Sequence, residues 1–540
     1  MKRFINNILI ALFLIGATAC DDLLQKDPPS APSQAVFWKS KEHFDYALAA
    51  CYSVQYDEAG ILSQVISCLD NLTDNSYCQH DETTYGKTRT MQQGDIDPTM
   101  SGYPAQMFKL AYIAIARVHQ IMYQLEQYTG EDMSADDRKF MMAQCKAIRG
   151  YYYHWLYLSF KEVPLVTELL DMDNMYMEKA SRTQIYTQIM TDFDEAIAEM
   201  PDLLYSDSKV TGMLTPSALK VLKARVMIFD AYGENGMADA AKMKEVIPLL
   251  ESIQGYSLAD NLRHNFVSDE QLACPEIMYS VRYLSPNRNN KIDLYFGSWC
   301  TNMPSRDLVN EFECTDGLEW GVSPLTVVVD EALINTKDGT QAEAQKAERD
   351  KLYLNRDKRL SQSIFHSATI RYPEEGFPVH DMGSGNASHT GFGMLKLLQP
   401  RVDAPGFGSD TDPDVVIVRY AHVLLMIAEA ENEVNGPTQK VYDAVNQIRN
   451  RSGQPDLPAG LAKEEMRKRI RKEWRVETCF EGLHYYHMKQ WRMMESLNDF
   501  TDPFNTGTKL FFKPAFYFWP IPQAEIDKAG GILTQDPNYI

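Results

Sequence analysis

PAQMFKLAYIAIARVHQIMYQLEQY, residues 104–128, and DDRKFMMAQCKAIRGYYYHWLYLSF, residues 136–160, are two apolar-striped segments separated by a short break. In the first, Phe108, Ala111, Tyr112, Ile115, Val118, Met122 and Leu125 recur at three- and four-residue steps. In the second, Phe140, Ala147, Ile148, Tyr151, Trp155 and Leu158 do the same. That period puts one face of each helix in a core. Ser134 and Asp136 stand where the second helix needs a cap. The pattern continues outward. Ile185, Ile189, Phe193 and Ile197 repeat every four residues before Pro201. Thr215-Pro216 opens a further helix carrying Leu219, Leu222, Val226 and Phe229, with proline at a tolerated first-turn position. Successive amphipathic helices joined by short breaks predict a mainly α protein built on tetratricopeptide-like pairs.

The middle of the chain is different. Residues 255–414 are rich in Gly, Pro, Asn and Asp, with short β-like pieces such as Ile277 to Tyr283. A loop-rich, partly irregular half is expected there, mounted on the helical half at 36–254. Loops on a rigid scaffold are where binding residues gather. Helical periods return at 415–435, 438–451, 463–479 and 481–496. The part from 415 to 540 ends in an irregular, aromatic tail.

The N-terminus reads as an export signal. Lys2 and Arg3 precede the apolar run Ile8 to Ile15, and Gly16-Ala17-Thr18-Ala19 lead into Cys20. The run is too short to span a bilayer, which needs about 20 apolar residues. Ala-Thr-Ala-Cys resembles a bacterial lipobox. It predicts a signal peptide at 1–19, lipidation of Cys20, and a proline-rich flexible tether at 20–35 (the stretch DDLLQKDPPSAPSQA follows the cysteine). Stable anchoring takes more than one acyl chain.

The net charge is −21, and loss of Lys2 and Arg3 with the leader makes it two units more negative. Such a chain repels phosphate backbones, which argues against nucleic acid as a partner. Eight cysteines follow Cys20: Cys51, Cys68, Cys78, Cys145, Cys274, Cys300, Cys314 and Cys479. None forms a CxxC pair. One or two disulfides are allowed outside the cytoplasm; buried free thiols are favoured for most of the eight.

Several segments, taken in order, resemble the SusD/RagB family, the nutrient-binding lipoproteins that partner SusC-like TonB-dependent transporters in Bacteroidetes. The resemblance rests on Cys20-Asp21-Asp22-Leu23-Leu24 and on Ala147-Ile148-Arg149-Gly150-Tyr151-Tyr152-Tyr153 with Val163-Pro164-Leu165. Ser181-Arg182-Thr183 and Thr215-Pro216-Ser217-Ala218-Leu219-Lys220 follow. The C-terminal part adds Val418-Arg419-Tyr420-Ala421, Leu424-Leu425-Met426, Ala428-Glu429-Ala430, Arg451-Ser452-Gly453 and Phe480-Glu481-Gly482. The tail carries Trp519-Pro520-Ile521-Pro522 and Gln535-Asp536-Pro537. His422 replaces the family's usual acid. His484 and His487 stand where Arg and Asp are usual, and Trp474 and Gln490 where basic residues are common. Local salt bridges are thereby put in doubt. The resemblance implies one SusD-like domain over 36–540, placement in the outer membrane at the cell surface, and non-catalytic binding of oligosaccharide or polysaccharide for delivery to the transporter. Asp21-Asp22 resembles an acidic surface-export signal. The alternatives are peptide capture for an analogous transporter and a surface glycoside hydrolase.

The remaining motifs give no chemistry of their own. His484 and His487 lie three apart, but a zinc site needs further ligands, and Tyr485, Tyr486, Met488 and Trp491 point to a packed helix. Arg467, Arg471 and Arg475 form a stripe that Glu429 and Glu433 are placed to meet. GxSxG, HExxH, P-loop and Rossmann patterns are missing, and no cofactor is called for. The informative feature is aromatic and polar residues in loops. Sugar rings have apolar C–H faces that stack on Trp and Tyr, while their hydroxyls need Asn, Asp, Arg and Gln. Three loop groups offer both. One holds Asp74, Asn75, Tyr77, Tyr85 and Arg89, and another Arg282, Tyr283, Asn287 and Arg288. The last holds Tyr295, Phe296, Trp299 and Asn302. Trp299 is the leading candidate, with Tyr295, Tyr283, Asp74, Asn75, Tyr77, Tyr85 and Arg89 beside it. Trp155, Trp474, Trp491 and Trp519 are expected to be structural.

Overall fold

The computed structural model describes residues 37–56, 60–335, 341–366, 388–400, 411–502 and 509–540. The leader, Cys20 and the tether lie outside them. No described helix is long and apolar enough to cross a membrane.

The scaffold helices are α1 (Lys41–Tyr52), α2 (Tyr103–Gln127), α3 (Ala135–Ser159), α4 (Arg182–Glu199), α5 (Pro216–Ala231), α6 (Ala240–Glu251), α7 (Tyr420–Asn435), α8 (Gln439–Arg451), α9 (Lys463–Thr478) and α10 (His484–Gln490). Local chemistry starts α3, α4 and α5. Ser134 and Ser181 each close a capping box with the residue three positions on, and Thr215 caps Ala218 ahead of Pro216. Neighbours in sequence pack as neighbours in space: α2 on α3, α3 on α4, α4 on α5 and α5 on α6. Across the α3–α4 contact, Arg149 and Asp192 form a buried ion pair at 2.6 Å.

The chain leaves the helical stack after α6 and returns at α7, which packs on α6, on α8 and on α9. The two helical parts therefore continue one another, giving the mainly helical, tetratricopeptide-like scaffold the periodicity predicts. The segment at 415–435 is not one helix. Val415–Arg419 is a strand, β6, and the helix begins at Tyr420. A run of four β-branched residues, buried throughout, suits a pleated surface better than a helix. β6 pairs antiparallel with β2 (Ile277–Val281). The other strands that position the site are β1 (Ser76–Cys78) and β3 (Asn302–Pro304), paired antiparallel with Tyr77 opposite Met303. A further antiparallel pair joins β4 (Ile364–His366) and β5 (Phe392–Met394).

Charged side chains hold the middle segment to the C-terminal helices. Arg419, at the end of β6, is fully buried. Its guanidinium meets Glu276 at 2.6 Å, Glu477 at 2.7 Å and Glu481 at 2.7 Å. Lys396 adds a bond to Glu481 at 2.6 Å, and Arg451 one to Glu477 at 2.5 Å. His422, in place of the usual acid, sits 3.0 Å from Glu481. Burial would raise the Glu481 carboxyl, but Arg419 and Lys396 outweigh it and hold it well below its ordinary value.

The arginine stripe on α9 divides its attention. Arg467 pairs with Glu433 as expected. Arg471 instead lies over the Trp491 ring, and Arg475 reaches Asp74 and Asp307. Among the described residues Glu429 accepts from neutral donors: the Trp474 and Trp491 indoles, Gln490 and Tyr232. Trp474 and Gln490 thus satisfy a buried carboxylate where basic residues are common. Trp155, Trp474, Trp491 and Trp519 are all buried. The eight cysteines are buried, and no disulfide joins them.

Candidate functional site

The β1–β3 pair determines which loops meet. Its ladder continues into Gln79, whose N–H donates to the Thr301 carbonyl at 3.3 Å. The loop at 79–85 is thereby held against the segment at 291–301. In the latter, Asp293–Ser298 forms a π-helical turn, a geometry often found at functional sites. Thr301 closes the segment, its N–H and hydroxyl both donating to the Tyr295 carbonyl at 3.0 and 2.7 Å. On the facing loop, Asp81 accepts from the Thr90 N–H and hydroxyl, and Arg89 donates to the Gln79 carbonyl at 3.2 Å.

Between these loops lies a cleft of about 630 Å³, lined by His80, Glu82, Thr84, Tyr85, Lys291, Leu294, Tyr295 and Trp299. The size suits a small-molecule or oligomer site. The rings of Tyr295 and Trp299 lie 5.9 Å apart and are tilted by only 32°. Tyr85 stands edge-on to Tyr295 at 5.2 Å, and His80 packs near both Tyr85 and Trp299. His80 Nε2 also sits 3.0 Å from the Trp299 carbonyl oxygen, tying the two loops at the aromatic end. Burial raises the Tyr85 and Tyr295 hydroxyls above the usual phenol range, so both stay neutral near pH 7. The cleft therefore offers ring faces, neutral hydroxyls, one carboxylate and one ammonium. It can stack a flat apolar face and bond the polar groups around its edge.

Of the residues singled out from sequence, the cleft gathers Trp299, Tyr295 and Tyr85. Arg89 lies outside its lining and braces the 79–85 loop. Asp74, Asn75, Tyr77 and Tyr283 lie elsewhere. Asn75 is fully buried, with its side-chain oxygen accepting from Arg475 at 2.8 Å and its amide directed to Asp70. Asp74 pairs with Arg475 at 3.4 Å and with His484 at 2.8 Å. Tyr77 is buried within β1. Tyr283 is buried against Tyr56, and its hydroxyl meets Ser63 at 3.1 Å. Phe296 and Asn302 are also interior, the latter donating to the Ser67 carbonyl. Arg288 stacks over Tyr56. His484 has Asp74 as its partner, and His487 packs between Trp474 and Trp491.

Sequence reasoning missed His80, Glu82, Thr84, Lys291 and Leu294. The one available signal was proximity in sequence: His80, Glu82 and Thr84 flank Tyr85, and Lys291 and Leu294 flank Tyr295.

Comparison with known proteins bears on both halves. Residues 277–539 match the family model described as "SusD family", and residues 22–228 match one described as "Starch-binding associating with outer membrane". SusD-like protein P38 of Formosa agariphila is 24% identical over 523 residues, covering 90% of this chain and 92% of that protein. SusD-like protein P2 of the same organism is 21% identical over the whole of both chains. Among solved structures, a SusD-like carbohydrate binding protein from Bacteroides fragilis superposes with a TM-score of 0.73 at 19% identity, covering 93% of this chain and all of that one. A protein described as a laminarin binding SusD-like protein gives 0.67 at 21%, covering 93% of this chain and all of that one. At such identities the structural likeness speaks to the fold.

Proposed function

Since this chain belongs to the SusD family, we propose that it captures oligosaccharide at the bacterial surface without cleaving it and passes it to a SusC-like TonB-dependent transporter. The observation that carries this reading is the aromatic cleft. Tyr295 and Trp299 present two neighbouring rings tilted by 32°, aromatic surface on which sugar faces can stack. Glu82, Thr84 and Lys291 supply polar groups at its edge. Glycoside hydrolysis normally needs two carboxyl groups flanking the bond; Glu82 is the sole carboxylate among the described residues that line the cleft. The relatives described as carbohydrate binding and laminarin binding support a glycan as the ligand class.

In this reading the lipid on Cys20 holds the protein in the outer membrane, and the tether leaves the domain free to swing beside its transporter as a lid. The experiment is a glycan and peptide panel titrated against the purified protein, with product analysis. Saturable glycan binding without products supports the reading. Product release contradicts its non-catalytic part, and retention of peptides but not glycans contradicts its ligand class. Replacing Cys20 by alanine is expected to release soluble protein that still binds glycan but no longer supports uptake.

A further inference from the structure

A second pocket shares no residue with the aromatic cleft. It holds about 320 Å³ between the turn at 204–211, Gly255 and Tyr256, and the segment at 271–277, with Arg282 and Asp414 in its lining. That volume is at the small end of known ligand sites. Leu204 and Leu272 are apolar and exposed at its rim, the latter by 70%. Tyr205 and Tyr256 contribute aromatic wall, with the Tyr205 N–H donating to the Tyr256 hydroxyl at 3.0 Å.

The charged pair in the lining is asymmetric. Asp414 is almost fully buried and its carboxylate is saturated. One oxygen accepts from the Tyr283 N–H at 2.9 Å; the other accepts from the Ser280 hydroxyl at 3.0 Å and faces Arg282 Nε at 2.9 Å. The Asp414 backbone is clamped from both sides by the Gln271 amide, each bond 2.8 Å. Arg282 is held by Nε alone. Among the described residues neither of its Nη atoms has a protein partner, and its side chain is 30% exposed. The stem runs close to Gly212. Gly212 has a left-handed backbone, and a Cβ there would lie 3.2 Å from Arg282 Cγ. A guanidinium paired with Asp414 at Nε and open at both Nη atoms offers two further donors. Its geometry matches a carboxylate.

We propose that this pocket is a separate binding site for a small carboxylate-bearing ligand, of monosaccharide to dipeptide size. The carboxylate is taken by the Arg282 Nη atoms, and the rest of the molecule lies against Tyr256 and the rim leucines. A uronic-acid sugar and the C-terminal end of a short peptide share that chemistry.

The test is titration of the intact protein with glucuronate, with a Gly-Leu dipeptide, and with the methyl ester of whichever acid binds. Saturable binding of at least one acid is expected, weakened about tenfold or more in its ester, the loss anticipated when a charged bidentate contact becomes neutral. Glucuronate alone assigns an acidic sugar; the dipeptide alone assigns a peptide end. Arg282→Gln is expected to cost a similar factor. Ala273→Trp, at an exposed position in the lining, fills the pocket without touching the ion pair and is expected to abolish binding even if Arg282→Gln proves unstable. Trp299→Ala is expected to leave acid binding unchanged, so this proposal and the glycan reading fail independently. Absence of saturable acid binding, equal affinity for acid and ester, or retention of binding in Ala273→Trp would overturn the site.

Discussion

Trp299 and Tyr295 are the residues on which ligand affinity rests in this account. Removing one ring from the pair deletes an aromatic face and leaves the loop bonds from Thr301 intact, because both end on the Tyr295 backbone carbonyl. Trp299→Ala is therefore expected to weaken glycan binding about tenfold or more, roughly 1.4 kcal/mol, with an unchanged unfolding midpoint; calorimetric titration and thermal unfolding check both. Asp74 acts differently. Burial alone would raise its carboxyl, but Arg475 and His484 outweigh that and hold it below the ordinary carboxylate range. Its ion pairs thus stabilise the fold fully above about pH 4 and lose that effect as pH falls toward the depressed folded value. Asp74→Asn is expected to lose about 1.5–3 kcal/mol at pH 7, and the gap to the natural protein should narrow at pH 3 in urea unfolding. In sequence, Asp74 and Asn75 look like sugar-binding groups because they are polar and precede Tyr77. Their actual partner, Arg475, lies 400 residues on, a distance across which no local pattern speaks. That Trp299 and Tyr295 lie together in one cleft was legible, because ring spacing within one short loop is a local property.

At the scale of elements, the helices were legible wherever one face repeated at helical steps, and α2 and α3 begin within a residue of the positions their periods indicate. The strand β6 was not, since four β-branched residues beside a helix start blur into its period. Its placement depends on β2 and on the Arg419 cluster, both remote in sequence. Two substitutions probe this joint. Glu481→Gln removes a carboxylate shared by Arg419 and Lys396 while leaving those cations buried; a loss of about 3–5 kcal/mol is expected in chemical denaturation. Gly482 is left-handed, and an added Cβ would come within 2.6 Å of the Ile66 carbonyl oxygen. Gly482→Ala is expected to cost about 1–3 kcal/mol for the backbone conformation alone, read by the same unfolding curve. The Phe480-Glu481-Gly482 run therefore matters through two mechanisms, one electrostatic and one steric.

At the scale of the whole molecule, α6 packing on α7 closes a helical scaffold whose two parts are separated by the long middle segment, and that segment carries one wall of the cleft. The other wall comes from the loop after β1. A cleft assembled from both parts depends on the pairing of β1 with β3, which sequence periodicity does not reveal at three residues per strand. The chain is strongly acidic, yet stacking on neutral rings does not draw on that charge. Affinity for a neutral glycan is accordingly expected to change less than about twofold between roughly 0.05 and 0.5 M salt, where surface electrostatics are progressively screened.

The most direct test of the central claim is calorimetric titration of a glycan panel against the natural protein and the Trp299→Ala and Tyr295→Ala variants, with the mixtures then analysed for cleavage. Saturable binding of at least one glycan, intact after incubation, is expected, with a loss of about tenfold or more in each variant. Glycan binding of equal strength in all three proteins would contradict it.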